Sequence, residues 1–408
     1  MYEMMWPRKD ADFKKCDRQS QFCIELYGTG GYPVSFFEYS QKFFEAAHVA
    51  TEYILNSGQI GILDNYFFPV AYMYRHSLEL ILKAVAFKYI SNAAEFIKDT
   101  FHNLVEILNQ IEPYIQGEID SDREAYRWIK DFLMDMEPID KESDAFRYPF
   151  KICVEKDDVW EIKEYVIKKF FEGQKHINLW KFANKMEATY EMLCSYYNEE
   201  YKSFEEYKLY RPIFLEEGGE YYLQSVIGYD YHRDMYGPMV KGYSETGKYL
   251  ADCYKEKPSK RDILFLPMCY LYRNALELEL KQIWFEECSA SRQERLKKLN
   301  RCKHSFKKLW NMINEDLLHH SQGQGDISVI SHAEKYICQL HDFDLTSSVF
   351  RYPTDKEMQY HFKNKCYLDA KNVADFMEEI SQFLQAVDDM MNDHNQIMAE
   401  MAAEYESY

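Results

Sequence analysis

Arg75, Glu79 and Lys83 stand at four-residue intervals in the stretch YMYRHSLELILKAVAFK. At 3.6 residues per turn that spacing puts all three on one helical face. Arg273, Glu277 and Lys281 repeat the pattern in LYRNALELELKQI. An arginine can bind phosphate bidentately or offset charge developing on phosphorus. A histidine, titrating near neutral pH, can take or give the proton. His102 and His304 recur downstream of the two stripes, in FHNLVEIL (101–108) and KHSFKKLW (303–310). One Arg with one His is enough for metal-free RNA cleavage. Arg75, His102, Arg273 and His304 are therefore the candidate catalytic residues. Lys83, Lys281, Arg147 and Arg351 are the candidate phosphate binders, and Glu79 and Glu277 the orienting or structural partners.

A structural reading stands beside the catalytic one. The helix carrying Arg75 is apolar on nearly every side, and a charge buried there must be paired. Glu79 would then pair with Arg75 and fix the packing. Leaving either charge unpaired in a core costs about 3–5 kcal/mol, which alone suffices to retain both residues. Asp140 and Asp344, each shortly before a Ser, read as caps of a helix or turn.

The elements that must position these residues are written twice. Residues 67–87 align with 265–285 without a gap, and eleven of the 21 positions are identical. DKESDAFRYP (140–149) matches DLTSSVFRYP (344–353), and the histidine blocks lie between. The three blocks keep their order, which reads as an internal duplication into tandem domains. The expected boundaries are an extension over 1–29, one copy over 30–205, a second over 215–400 and a tail over 401–408. Helical patterns are expected at 40–57, 66–91, 101–116, 122–137 and 178–200. Their counterparts lie at 244–256, 263–288, 303–317, 331–341 and 366–393. Pro69 and Pro267 fit a first helical turn, where a missing N–H costs nothing. QFCIELYG (21–28) and EYYLQSVIGY (220–229) read as short strands near the start of each copy. The expected class is mostly α, a pair of helical bundles.

Composition bounds the rest. The 408 residues are 47% apolar and 17% aromatic, with 35 Tyr and 27 Phe, ample for packed cores. The net charge of −19 argues against broad, non-specific DNA or RNA binding, though not against a small basic pocket. Ten scattered Cys without CxxC give no structural zinc site, and no metal or cofactor is expected. They read as core thiols in a cytoplasmic, reducing setting. No apolar run reaches the ~18 residues of a membrane helix. HExxH, GxxxxGK[ST], GxSxG and GxGxxG are absent.

Taken together, YRxxLELxLK, His-x-Leu/Phe and FRYP in a helical chain resemble the HEPN superfamily, especially its loosely described bacterial members. The resemblance covers most of both copies. It implies helical bundles paired about a two-fold axis, here an intramolecular pseudo-dimer, often with an RNA-cleaving or phosphate-binding site at the pair interface. It also implies phage-defence, toxin–antitoxin or stress systems, and RNA, a nucleotide or a protein as partner. The HEPN ribonuclease signature, an Arg and a His four to six residues apart on one helix, is absent. Arg75 is followed at once by His76, and Arg301 precedes His304 by three. Two expectations stand: an RNA- or nucleotide-recognising protein, with metal-independent endoribonuclease as its activity if it is an enzyme, or a non-catalytic scaffold or regulatory protein.

Overall fold

The fold is built around two helices buried on every side along most of their length, one in each half of the chain. The computed structural model describes residues 5–28, 30–100, 102–156, 163–200, 205–229, 234–321 and 328–406. In the first half these form β1 (Cys23–Leu26), α1 (Gly31–Ser57), α2 (Ile60–Asn65), α3 (Phe67–Tyr89), α4 (Ala93–Thr100), α5 (Leu104–Ile111), α6 (Gln116–Ser121) and α7 (Arg123–Asp140). A hairpin of β2 (Phe150–Lys156) and β3 (Lys163–Lys169) follows, then β4 (Lys175–Asn178) and α8 (Leu179–Asn198). The second half runs β5 (Gln224–Ile227), α9 (Gly237–Glu256), α10 (Arg261–Gln282), α11 (Arg292–Cys302), α12 (Phe306–His320), α13 (Ser328–Phe343), β6 (Cys366–Asp369) and α14 (Ala370–Glu406). The protein is mostly α, with few and short strands.

Every residue of α3 from Phe67 to Ala86 is buried, as is every residue of α10 from Leu264 to Leu280. A helix apolar all round has no solvent face and must be central. α3 packs between α1 and α8, and α10 between α9 and α14. The halves also meet, α1 against α10 and α3 against α9.

Their strands are exchanged. β1, from the start of the first half, pairs antiparallel with β6 before the last helix of the second, with Ile24 opposite Leu368. β4, before the last helix of the first half, pairs with β5 at the start of the second, with Ile177 opposite Ser225. The chain's first residues likewise belong to the second half's core. Phe13 is 1% exposed and packs on Phe343 and Phe376, while Arg8 pairs with Glu379 at 2.9 Å.

Several boundaries differ from the sequence expectation. α1 begins at Gly31 and α9 at Gly237, both earlier than expected. α2, α4, α6 and α11 are short helices without a long apolar stripe, and the β2–β3 hairpin follows directly on Pro149. Pro69 does sit in the first turn of α3. Pro267 does not: α10 starts six residues before it, so the ring lies inside the helix. α14 continues through Glu406, so residues 401–406 are helix, and 407 and 408 lie outside the described residues. Of the ten free Cys, only Cys269, Cys288 and Cys302 are buried; the others are half-buried.

Among the described residues, no helix is long and apolar enough to cross a membrane.

Candidate functional site

Each half centres a polar cluster on the carboxylate of its long buried helix. The cluster is assembled from three segments. The first is one face of α3 or α10, where the i, i+4, i+8 spacing stacks Arg, Glu and Lys. The second is the turn entering α5 or α12, where Asn103 and Ser305 cap the helix N-termini by accepting from the backbone N–H of Glu106 and Lys308. His102 and His304 are the residues immediately before these caps, so the cap fixes where each imidazole stands. The third segment is the FRYP turn, and it comes from the opposite half.

In the first cluster Glu79 accepts from Arg75 Nη1 at 2.6 Å, Lys83 Nζ at 2.7 Å and the Tyr352 hydroxyl at 2.8 Å. His102 Nδ1 lies 3.0 Å from Glu79 Oε2. In the second, Glu277 accepts from Arg273 Nη1 at 2.6 Å, Lys281 Nζ at 2.6 Å and the Tyr148 hydroxyl at 3.0 Å, with His304 Nδ1 at 3.0 Å. Tyr352 belongs to the second half and Tyr148 to the first, so each half completes the other's cluster. Lys83 sits over the Tyr352 ring at 5.0 Å and Lys281 over the Tyr148 ring at 4.4 Å, which adds cation–π attraction to both crossings.

The arginines are turned inward. Arg75 Nη2 donates to the His102 carbonyl at 2.7 Å, and its Nε lies 3.3 Å from Asp140 Oδ2. Arg273 does the same with the His304 carbonyl, at 2.7 Å, and with Asp344, at 3.3 Å. Sequence spacing suggested each Arg beside its His; the contact is made to the backbone carbonyl and not to the ring. Asp140 and Asp344 also cap the turns that follow them, accepting from Ala145 N and from Ser348 N, each at 2.9 Å.

Arg147 and Arg351 are 3% and 6% exposed. Arg147 donates to the Tyr148 hydroxyl at 3.0 Å and so reaches the second cluster through it. Arg351 donates from Nε to the Ser347 carbonyl at 2.5 Å and lies over the rings of Tyr270 and Tyr352. His76 and Asn274, which differ between the halves, do one job: His76 Nε2 lies 3.0 Å from the Arg351 carbonyl, and Asn274 Nδ2 donates to the Arg147 carbonyl at 3.4 Å.

Electrostatics follow from this packing. Burial would raise the Glu79 carboxyl, but the charges of His102, Lys83 and Arg75 hold it well below the usual carboxylate range. Glu277 is held low against its burial by Lys281, His304 and Arg273. Burial lowers His102, against the pull of Glu79. Glu277 pulls His304 upward, yet burial, Arg147 and Lys281 leave it lowered. With a carboxylate at Nδ1, each ring, when neutral, donates from Nδ1 and leaves Nε2 as an acceptor. The side chains of His102 and His304 keep 25% and 35% exposure, whereas Arg75, Glu79, Arg273 and Glu277 keep 0–1%.

Tyr148 and Tyr352 are the site residues that sequence reasoning passed over. Their signal was present, since the tyrosine of FRYP recurs beside the arginine that was singled out. Among the described residues, no group of three or more His, Cys, Asp or Glu is arranged to hold a metal ion. Comparison with protein-family models, with curated proteins and with solved structures gives no match to this chain.

Proposed function

We propose that this chain is an HEPN-like binding protein, an intramolecular pair of helical bundles in which the repeated Arg, Glu and Lys are structural and the function lies in holding a partner. One observation carries this reading. In both clusters the glutamate is saturated by Arg, Lys, His and a tyrosine from the other half, with Arg and Glu sealed from solvent. An arginine that must stabilise a scissile phosphate needs donors free to reach it. Here one terminal nitrogen is bound to Glu, the other to the histidine carbonyl, and Nε faces an Asp. A defence, toxin–antitoxin or stress setting in the cytoplasm, as the HEPN resemblance implies, belongs to the same proposal.

A second reading keeps the chemistry. His102 and His304 each have a glutamate behind Nδ1 and a side chain that is partly exposed, the arrangement that prepares a neutral imidazole to accept a proton. On this reading the chain is a metal-independent endoribonuclease that uses the histidines without an arginine at the phosphate.

An RNA cleavage assay in EDTA separates the two. Wild type would be compared with Arg75→Ala/Arg273→Ala and His102→Ala/His304→Ala, each with its melting temperature. The binding-protein reading expects no cleavage by wild type and arginine variants that melt several degrees lower. Cleavage by wild type, lost in histidine variants that still fold, would overturn it and establish the nuclease.

A further inference from the structure

One stretch of this acidic chain is basic. From Arg292 to Lys308 the chain carries eight Lys or Arg against a single carboxylate, Glu294. The corresponding first-half stretch, residues 92–106, has one Lys, Lys98, against Glu95, Asp99 and Glu106. The asymmetry is built into the fold. β3 of the hairpin, which has no partner hairpin in the second half among the described residues, packs against α11. Gln293 fastens them, with its Oε1 accepting from Tyr165 N at 2.9 Å and its Nε2 donating to Tyr165 O at 3.1 Å.

Between them lies an open groove of about 870 Å³, lined by Lys163, Glu164 and Tyr165 on the hairpin side and by Gln293, Glu294, Lys297, Lys298 and Arg301 on the helix side, so that four cations face two carboxylates. Lys298 is engaged by Glu294 at 3.0 Å. Lys163, Lys297 and Arg301 are exposed and, among the described residues, form no ion pair. Gln293, Lys297 and Arg301 are spaced i, i+4, i+8, so they follow one another along the groove wall. Arg301 stands three residues before His304, whose side chain is partly exposed.

We propose that this groove binds the phosphate backbone of a single-stranded nucleic acid, on the second-half side only. A net charge of −19 repels a polyanion from much of the surface, which favours contact where cations are gathered, as they are along this groove. The tyrosine in the wall decides the kind of polyanion. A basic groove with an aromatic platform suits a strand whose bases stack, whereas an acidic peptide offers no face for Tyr165. The proposal does not rest on whether the Glu-centred clusters are structural or catalytic.

The test is fluorescence polarisation of labelled oligouridylate and oligothymidylate, about 12 nucleotides long, in about 50 mM and 200 mM salt. The expected result is binding by wild type that weakens steeply with salt. Lys297→Glu/Arg301→Glu should weaken it at least about tenfold. Tyr165→Ser should weaken it severalfold, and Lys98→Glu, on the first-half counterpart, less than about twofold. All substitutions are at or near the surface, and melting curves verify that each variant folds. Absence of binding by wild type at the lower salt would overturn the proposal, as would equal losses from Lys98→Glu and from the groove variants. Displacement by polyglutamate at matched charge would also overturn it and assign the groove to an acidic protein segment.

Discussion

The Tyr352 hydroxyl, carried by the second half of the chain, lies 2.8 Å from the carboxylate of Glu79 in the first half, 273 residues away. Tyr148 makes the reverse contact with Glu277 at 3.0 Å. The two crossings tie each buried ion cluster to the opposite bundle, so the charge balance of each half depends on the folding of both.

Removing one hydroxyl tests this directly. Tyr352→Phe and Tyr148→Phe keep the ring and its contact with lysine but leave a buried carboxylate one donor short. Each should cost about 1–3 kcal/mol, read as a lower urea midpoint at unchanged slope. Midpoints equal to wild type for both variants would show that the crossings are incidental.

Arg75→Ala leaves Glu79 with Lys83, His102 and the Tyr352 hydroxyl and frees the His102 carbonyl and Asp140. The expected loss is about 3–5 kcal/mol, and the same for Arg273→Ala. Urea titration followed by circular dichroism measures it. A loss below about 1 kcal/mol, the range of exposed pairs, would contradict the burial.

His76 and Asn274 support carbonyls in opposite halves. His76→Asn should therefore cost about 1 kcal/mol or less, whereas His76→Leu, which leaves the Arg351 carbonyl without its donor, should cost about 1–3 kcal/mol. The comparison fails if Asn and Leu destabilise equally.

Glu279 gives a pH dependence of fixed sign. It is 3% exposed, and burial raises its carboxyl from 4.5 to about 8, opposed by hydrogen bonds from Ser381 and Gln385. Between those values the folded protein holds a proton that the unfolded chain has released, so stability falls as pH rises from about 4.5 to 8. Burial likewise lifts Glu286 to about 8 and Asp388 to about 7, with the same sign. Glu279→Gln should flatten the curve in part and stabilise the protein at pH 8 by about 1 kcal/mol or more. Urea midpoints from pH 5 to 8.5 would show it; an unchanged slope would mean that Glu279 is ionised in the fold.

Much of the cluster was legible in the sequence because it is local. Arg75, Glu79 and Lys83 meet through helical periodicity, and the apolar residues around them announce the burial that forces the pairing. The twice-written blocks likewise marked α3, α10 and both FRYP turns. What periodicity cannot carry is the identity of the partner at a distance. Nothing near Tyr352 states that its hydroxyl crosses to Glu79 and not to Glu277, because that contact joins residues 273 apart. The basic groove was hidden for a related reason. Its charges lie on α11 and on a hairpin more than a hundred residues earlier, inside a chain whose total charge points the other way. Pro267 misled because a proline read without its flanks looks like a helix start, while Arg261 to Leu266 had already begun the helix.

The exchanged strands also set a timetable. A ribosome adds about 5–20 residues per second, so once α8 has emerged, on the order of ten seconds or more pass before Tyr352 and β6 exist. Throughout that interval the nascent first bundle holds Glu79 without its tyrosine and β1 as a strand with an open edge. The first half of this protein is thus synthesised as an incomplete object, and the last sixty residues of the chain supply what lets it finish folding.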